Sequence, residues 1–225
     1  MILSTSHNFL FVHVPKTAGT AMTAALEPFA VSGTRTIWRR ALRRLPLREA
    51  PDRAYFRKHE TAADMQRKMG SEAFAGFLKF AAVRNPFDHA VSHYEYLKEF
   101  RNPGLAARFA EMSFAQYLDW RMTRHGPFVP FFTVLPDQTH WLVDHSGRML
   151  VDRVLRFETL AEDFAALTAE LGLGAVAMAR INPTRAKAAG RRLDSYYDAG
   201  TLERVRRLYD RDFDLLGYAR DLPRD

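Results

Sequence analysis

The chain alternates short apolar runs, rich in β-forming residues, with longer segments of helical periodicity. Compact apolar runs at 8–14 and 77–83 predict buried strands, and further short strands are predicted at 54–58 and 153–157. Helices are predicted at 21–26, 61–69, 86–100, 114–124, 160–171 and 201–213. Because strands alternate with helices, we expect an α/β fold with a central parallel sheet covered on both faces.

Single residues mark the ends of several of these helices. Thr61 and Ser113 are of the type that caps a helix N-terminus. Pro86 suits the first helical turn, and Gly70 suits the position just after a helix. These residues set the boundaries given above.

The length and composition favour one domain. A chain of 225 residues with 47% hydrophobic content can form one full core, and no internal repeat or linker-like segment divides it. We therefore expect a single domain over residues 1–225. The chain has no cysteine, no apolar run approaching the roughly 20 residues that cross a bilayer, and no basic leader region. We expect a soluble, unprocessed, cytoplasmic protein.

The charge points to an anionic partner. A net charge of +7 and a sequence pI near 9.9 favour a nucleotide, an acidic polysaccharide, a nucleic acid or a membrane surface. Charge alone does not choose between them.

The first candidate site follows the strand predicted at 8–14. A loop between that strand and a helix directs free backbone N–H groups, and the positive end of the helix dipole, at one point where phosphate binds. Lys16 adds a mobile charge, Gly19 permits close approach of the backbone, and Thr17 and Thr20 add hydroxyl groups. The spacing is not that of a Walker A loop. A basic surface turn is the alternative.

The second candidate site follows the strand predicted at 77–83. Arg84 lies at the carboxyl end of that strand, where ligands of open α/β sheets bind, and Ser92 lies about two turns along the next helix. Both side chains are positioned to reach one anion. Alternatively, Arg84 is a salt-bridge partner and Ser92 a small packing residue.

Together these segments resemble the nucleotide-binding segments of the sulfotransferase family that includes the heparan sulfate 2-O and chondroitin or dermatan sulfotransferases. Residues 11–20 are similar to the 5'-phosphosulfate loop of that family, and residues 83–87 with 92–94 are similar to its 3'-phosphate segment. Further similarity, which extends over most of the chain, lies at 151–160, 181–184, 195–198 and 209–213.

The resemblance implies a P-loop-like three-layer α/β fold and a 3'-phosphoadenosine 5'-phosphosulfate (PAPS) co-substrate. It implies transfer of a sulfuryl group to a hydroxyl, with an amine as second choice, of an acceptor that we expect to be a carbohydrate or acidic glycan. The residues that would hold the 5'-phosphosulfate are Lys16, Thr17, Ala18, Gly19 and Thr20. Arg84 and Ser92 would hold the 3'-phosphate, and the stretch around Thr184 would close over the nucleotide.

Two departures from the family pattern stand out. Many members carry arginine where this chain has His89, which loosens one expected anion contact. The chain also lacks the membrane anchor and the cysteines of the Golgi enzymes, which indicates a soluble bacterial-type relative with an open acceptor.

Sulfuryl transfer needs in-line placement, neutralisation of the leaving phosphate and a base for the acceptor proton. Lys16 is the candidate for the leaving phosphate. His59, between a predicted strand and a helix, is the candidate base, and it resembles the catalytic histidine of the family in place and context. Glu60 is the runner-up, His13 is a candidate acceptor contact, and a helix-capping role for His59 is the alternative. His89 and His93 are four residues apart with no third ligand, so we expect no metal.

The segment 35–45 adds a basic amphipathic helix. Its apolar face carries Ile37, Trp38, Ala41, Leu42 and Leu45, and its opposite face carries Arg39, Arg40, Arg43 and Arg44. It would bind an acidic glycan or be a solvated face. Two other functions remain open: a small-molecule kinase, against which the loop spacing argues, and a nucleic-acid-binding module, for which interleaved aromatic residues are missing. We expect no nucleic-acid partner.

Overall fold

The computed structural model describes residues 1–31, 48, 50–52, 54, 56–124, 129–178 and 190–223. The chain divides into two compact units. The first comprises residues 1–83 and 140–181, and the second comprises residues 84–139 and 182–225. The single domain expected from the sequence stays a prediction.

The first unit contains a four-stranded sheet. Its strands lie side by side in chain order: β1 Ile2–Ser4, β2 Phe9–Val12, β3 Leu78–Val83 and β4 Arg153–Arg156. β1 is antiparallel to β2, whereas β2, β3 and β4 are mutually parallel. Neighbouring residues of a strand point to opposite faces of the sheet. Leu10 and Phe11 on β2 are both fully buried, and so are Phe80 and Ala81 on β3. Burial of both sets means that both faces of the sheet are covered, as the sequence predicts.

The helices of the first unit are α1 Gly19–Leu26, α2 Ala62–Met69, α3 Ser71–Ala75 and α7 Leu160–Glu170. One face of the sheet packs against α1 and α7 in a core that contains Phe9, Phe80, Met22 and Phe164. Thr61 caps α2, because its hydroxyl accepts from the Asp64 N–H at 3.1 Å. Gly70 ends α2 with a positive φ of 84°.

The second unit is helical within its described residues. Its helices are α4 Pro86–Lys98, α5 Pro103–Glu111, α6 Phe114–Thr123, α8 Ala199–Leu208 and α9 Asp210–Leu216. Pro86 occupies the first turn of α4, and Ser113 forms a capping box with Gln116 at the start of α6. The predicted helix 201–213 is two helices, since the chain leaves α8 at Tyr209, where φ is −120°.

The strand predicted at 54–58 is wrong for the residues that the structure describes there, 54 and 56–58, none of which pairs in a sheet. Arg57 and Lys58 are exposed, and the chain turns, with Glu60 N–H donating to the Arg57 carbonyl at 3.3 Å. Local backbone bonds therefore replace the predicted ladder. None of the described helices is long and apolar enough to span a membrane.

Candidate active site

The loop after β2 has an unusual backbone. Lys16 and Ala18 adopt left-handed conformations, with φ of 66° and 62°, which residues with a Cβ seldom do. Ala18 is the N-cap of α1 and makes no side-chain capping bond. Thr17 is fully buried, and its hydroxyl donates to the Val14 carbonyl at 3.0 Å. That bond folds the loop back on itself at the helix start.

This geometry is of the kind that suits an anion. The first N–H groups of a helix have no partner within the helix, the helix dipole is positive there, and left-handed residues help to make N–H groups converge. Lys16 is half-buried and Thr20 is exposed, next to those N–H groups in the chain. The hydroxyl hydrogen of Thr17 is committed to Val14, so the contribution of Thr17 to anion binding is through its backbone.

Gly19 is needed for a side-chain reason that the sequence does not reveal. A Cβ atom at position 19 would lie 2.1 Å from His13 Cδ2 and 2.2 Å from His13 Nε2. The His13 imidazole therefore lies directly against the start of α1. His13 is 3% exposed, which does not support the expected acceptor contact. Its role in the structure is to fill the space between the loop and His59.

His59 lies beside His13. The two rings meet edge to face with centroids 4.5 Å apart, and His59 Nδ1 is 3.1 Å from the His13 carbonyl oxygen. A carbonyl only accepts hydrogen bonds, so Nδ1 of His59 carries the proton, and Nε2 of the neutral ring has a lone pair. The fold thus selects the tautomer that a general base at Nε2 requires.

The surroundings favour the neutral form of both rings. Burial lowers the pKa of His59 below its ordinary value of 6.5, and the nearby Lys58 lowers it further, while the bond to the His13 carbonyl acts in the opposite direction. Burial lowers the pKa of His13 to about 2, with His59 and Lys58 as further causes. His59 is therefore uncharged at neutral pH and able to take a proton.

Glu60, the runner-up base, is placed differently. It is 1% exposed, its Oε1 lies 2.5 Å from Lys68 Nζ, and its Oε2 accepts from the Arg57 N–H at 2.7 Å. A carboxylate held by a buried lysine and a backbone donor is already engaged with the protein. This setting favours His59 over Glu60 as the base.

Arg84 and Ser92 belong to the second unit, and both are buried. Asp88, one turn before Ser92 on α4, accepts from Nε of Arg84 at 2.6 Å and lies equally close to the second guanidinium nitrogen. The salt bridge considered above as an alternative role for Arg84 is therefore present. A guanidinium has five N–H donors, so this pairing and a phosphate contact are compatible.

The backbone of Arg84 is fixed by residues that the sequence analysis missed. Gln138 accepts from the Arg84 N–H and donates to the Arg84 carbonyl, each at 2.8 Å. Asp212 in turn accepts from the backbone N–H of Gln138 at 2.9 Å and from that of Thr139 at 2.8 Å. Asp212 lies in a segment that resembles the family, but no pattern in one sequence distinguishes Gln138.

His89 and His93 lie in a buried network. Arg121 donates to the hydroxyls of Tyr209 at 2.6 Å and Tyr117 at 3.4 Å. Tyr209 lies 2.8 Å from His89 Nδ1, and Tyr117 lies 2.7 Å from His93 Nδ1. His89 is fully buried among these groups, so it does not replace the anion-binding arginine of other members at an open site.

Two predicted elements of the site lie outside the described residues. They are Thr184 and the basic segment 35–45. Among the residues that the structure does describe, no group of three or more side chains is arranged to hold a metal ion.

A mostly parallel sheet with a loop and a helix N-terminus after one of its strands suits a nucleotide-dependent transferase. A family model described as the sulfotransferase family matches residues 1–219. The chain belongs to that family of PAPS-dependent enzymes, whose members include the heparan sulfate 2-O and chondroitin sulfotransferases, and it is a transferase of sulfuryl groups. Comparisons with curated proteins and with solved structures give no match.

Proposed function

We propose that this enzyme transfers the sulfuryl group of PAPS to a hydroxyl of a carbohydrate acceptor, with an amine as second choice, and that His59 is the base. One observation carries the proposal. The backbone carbonyl of His13 holds His59 in the tautomer with an acceptor Nε2, and the His13 ring connects His59 to the anion-binding loop.

The described residues suit the donor. PAPS supplies the sulfuryl group and a phosphate leaving group. Its 5'-phosphosulfate takes the N–H groups of Thr17, Ala18, Gly19 and Thr20, together with the charge of Lys16. The uncapped start of α1 and the left-handed residues of the loop support this assignment, because they favour an anion there.

Lys16 acts on the leaving group. As the bond from sulfur to the bridging phosphate oxygen breaks, negative charge grows on that oxygen, and a nearby ammonium group stabilises it. The half-buried position of Lys16 strengthens that interaction relative to open solvent. We therefore give Lys16 a catalytic role as well as a binding one.

His59 acts on the acceptor. Nε2 takes the proton of the acceptor hydroxyl while the hydroxyl oxygen forms its bond to sulfur. The Nδ1–H group keeps its hydrogen bond to the His13 carbonyl oxygen, and this bond stabilises the imidazolium that forms. The lowered pKa of His59 keeps the ring unprotonated before the reaction at neutral pH.

The 3'-phosphate is assigned to Arg84 and Ser92, and closure over the nucleotide to the stretch around Thr184. Burial of Arg84 supports its role, since a charge-assisted hydrogen bond is stronger away from water. Asp88 keeps the guanidinium in one orientation by its contact at 2.6 Å.

The acceptor and the location rest on the sequence. A net charge of +7 and the exposed Lys58 next to His59 favour an anionic carbohydrate. The cytoplasm is the proposed location, because a chain without cysteine suits a reducing compartment.

The test is transfer of radiolabelled sulfate from PAPS to a panel of glycans, lipids and phenols, without added metal. Labelled glycan is the expected product. Labelled phenol or lipid alone would overturn the acceptor class, and a requirement for Mg²⁺ and ATP would favour the kinase alternative.

A further inference from the structure

The turn that carries His59 is fixed by a buried ion pair. Glu60 follows His59 directly, and Lys68 lies in the last turn of α2. Both residues are buried, at 1% and 5% exposed, and their charged atoms are 2.5 Å apart. The other carboxylate oxygen of Glu60 holds the Arg57 N–H at 2.7 Å. The carboxylate therefore closes the turn 57–60 and ties it to α2.

A buried ion pair is seldom the most stabilising choice. Taking two charges out of water costs hydration, and apolar residues of similar size often give equal or greater stability. What such a pair gives in some proteins is one definite arrangement of the chain. The exposed Arg57 guanidinium also lies 3.7 Å from Glu60 Oε1, so Lys68 is the closer and the buried ionic partner of this carboxylate.

The position of the turn matters because one hydrogen bond orients the His59 ring. His59 Nδ1 reaches the His13 carbonyl at 3.1 Å, near the upper end of the usual range for such bonds. A small shift of the turn would break it, and the proton would then be free to occupy either nitrogen. A ring with the proton on Nε2 has no lone pair on that nitrogen, so Nε2 is unable to take the proton of the acceptor hydroxyl.

We propose that Glu60 and Lys68 are positioning residues, which hold His59 Nδ1 on the His13 carbonyl and thereby keep Nε2 available to take a proton. The catalytic consequence rests on the proposed function, in which His59 is the base. The placement of the His59 ring is independent of that function, because it rests on the contacts of Glu60 and Lys68.

Nuclear magnetic resonance of the full chain labelled with ¹⁵N-histidine tests the placement directly, since long-range ¹H–¹⁵N spectra distinguish the two tautomers. The His59 signals are assigned by their loss in His59→Gln. In the unmodified protein, Nδ1 should carry the proton, and the ring should titrate below pH 6.5.

Two variants remove the ion pair in different ways. Glu60→Gln keeps an oxygen for the Arg57 N–H but leaves Lys68 without the carboxylate. The double variant Glu60→Gln/Lys68→Met removes both charges, so no charge is stranded in the interior. In both variants, we expect a mixture of His59 tautomers. We also expect the titration midpoint of His59 to move up towards 6.5, because a displaced turn exposes the ring and burial is the main cause of its lowered pKa.

A second ion pair in the same unit, between buried Lys79 and exposed Asp152, supplies the control. Lys79 Nζ lies 2.9 Å from Asp152 Oδ2 and joins β3 to the residue before β4. The variant Lys79→Met/Asp152→Asn should lower stability and leave the His59 tautomer and midpoint unchanged. An equal change in this control, or unchanged His59 signals in both Glu60 variants, would overturn the proposal.

Kinetics separate this inference from the proposed function. We expect Glu60→Gln to lower kcat about tenfold, less than the loss of the base itself, with an unchanged KM for PAPS. If the tautomer changes and kcat does not, the positioning role stands and His59 is not the base.

Discussion

The two pairs of histidines show how one side chain acquires different roles. In the first unit, the Nδ1–H of His59 donates a hydrogen bond to a backbone carbonyl, and Nε2 stays an acceptor. In the second unit, His93 has Tyr117 on Nδ1 at 2.7 Å and the Phe132 carbonyl on Nε2 at 2.8 Å. Both ring nitrogens of His93 therefore have hydrogen-bond partners. The His13 carbonyl occupies only Nδ1 of His59 and leaves the lone pair on Nε2. The hydrogen-bond partners, rather than the residue type, separate the proposed base His59 from the structural His93.

His89 follows the same structural pattern as His93. In neutral His93, the Phe132 carbonyl accepts from Nε2, so Nδ1 is the acceptor and the Tyr117 hydroxyl donates to it. His89 Nδ1 lies 2.8 Å from the Tyr209 hydroxyl, and Arg121 donates to both tyrosine hydroxyls. Within the second unit, this buried network links α4 and α6 to Tyr209, the C-cap residue of α8. We assign it to stability rather than to chemistry.

The largest effect should come from His59→Gln. Loss of the base removes transition-state help worth roughly 10²- to 10⁴-fold in kcat, while affinity for the donor and the free energy of unfolding stay close to those of the parent protein. Single-turnover transfer of labelled sulfate gives kcat, and calorimetry gives the donor affinity. A variant with normal turnover would make His59 no different in role from His93.

Lys16→Ala should have the next largest effect. The charge matters most as the leaving phosphate gains charge, so kcat should fall about 10²-fold, more than the affinity for 3'-phosphoadenosine 5'-phosphate falls. Comparison of steady-state kinetics with calorimetric binding of that product decides the point. A matched loss of affinity and turnover would make Lys16 a binding residue only.

Discrimination between nucleotides tests the second unit. The protein should bind 3'-phosphoadenosine 5'-phosphate more tightly than adenosine 5'-phosphate, by about 1.5 to 3 kcal/mol for each charge-assisted hydrogen bond to the 3'-phosphate. Arg84→Ala should reduce that difference and leave adenosine 5'-phosphate binding nearly unchanged. Equal affinities in the parent protein, measured by calorimetry, would contradict the role of Arg84 and Ser92.

Tyr117→Phe addresses the structural histidine. It removes the hydroxyl that lies 2.7 Å from His93 Nδ1 and leaves a fully buried acceptor without that partner. Denaturant unfolding should show a loss of about 1 to 3 kcal/mol, while kcat per folded molecule is retained. Loss of turnover without loss of stability would give the network a catalytic role.

The sequence predicts much of the fold because its signals are local. β2 and β3 are apolar runs, β4 is a short strand with arginine at both ends, and Pro86 and Ser113 begin helices as expected. β1 escaped prediction because three residues carry too short a pattern, and its place is decided by pairing with β2. The helix Pro103–Glu111 also escaped, although Asn102 caps it.

The candidate site residues come from the sequence, whereas most of their geometry does not. Lys16, Arg84 and His59 were identified from their neighbours in the chain. The bond that orients His59 joins residues 46 positions apart through a backbone carbonyl, which side-chain patterns do not encode. The pairing of Gln138 with Arg84 and the close packing of His13 on Gly19 are equally non-local.

The most direct test of the central claim is the pH dependence of kcat/KM for the parent protein and for His59→Gln. Because burial lowers the pKa of His59 and the base must be unprotonated, kcat/KM of the parent should rise through a single ascending limb below pH 6.5 and be level at neutral pH. The residual activity of His59→Gln should lack that limb. The same limb in both proteins would show that another group takes the acceptor proton.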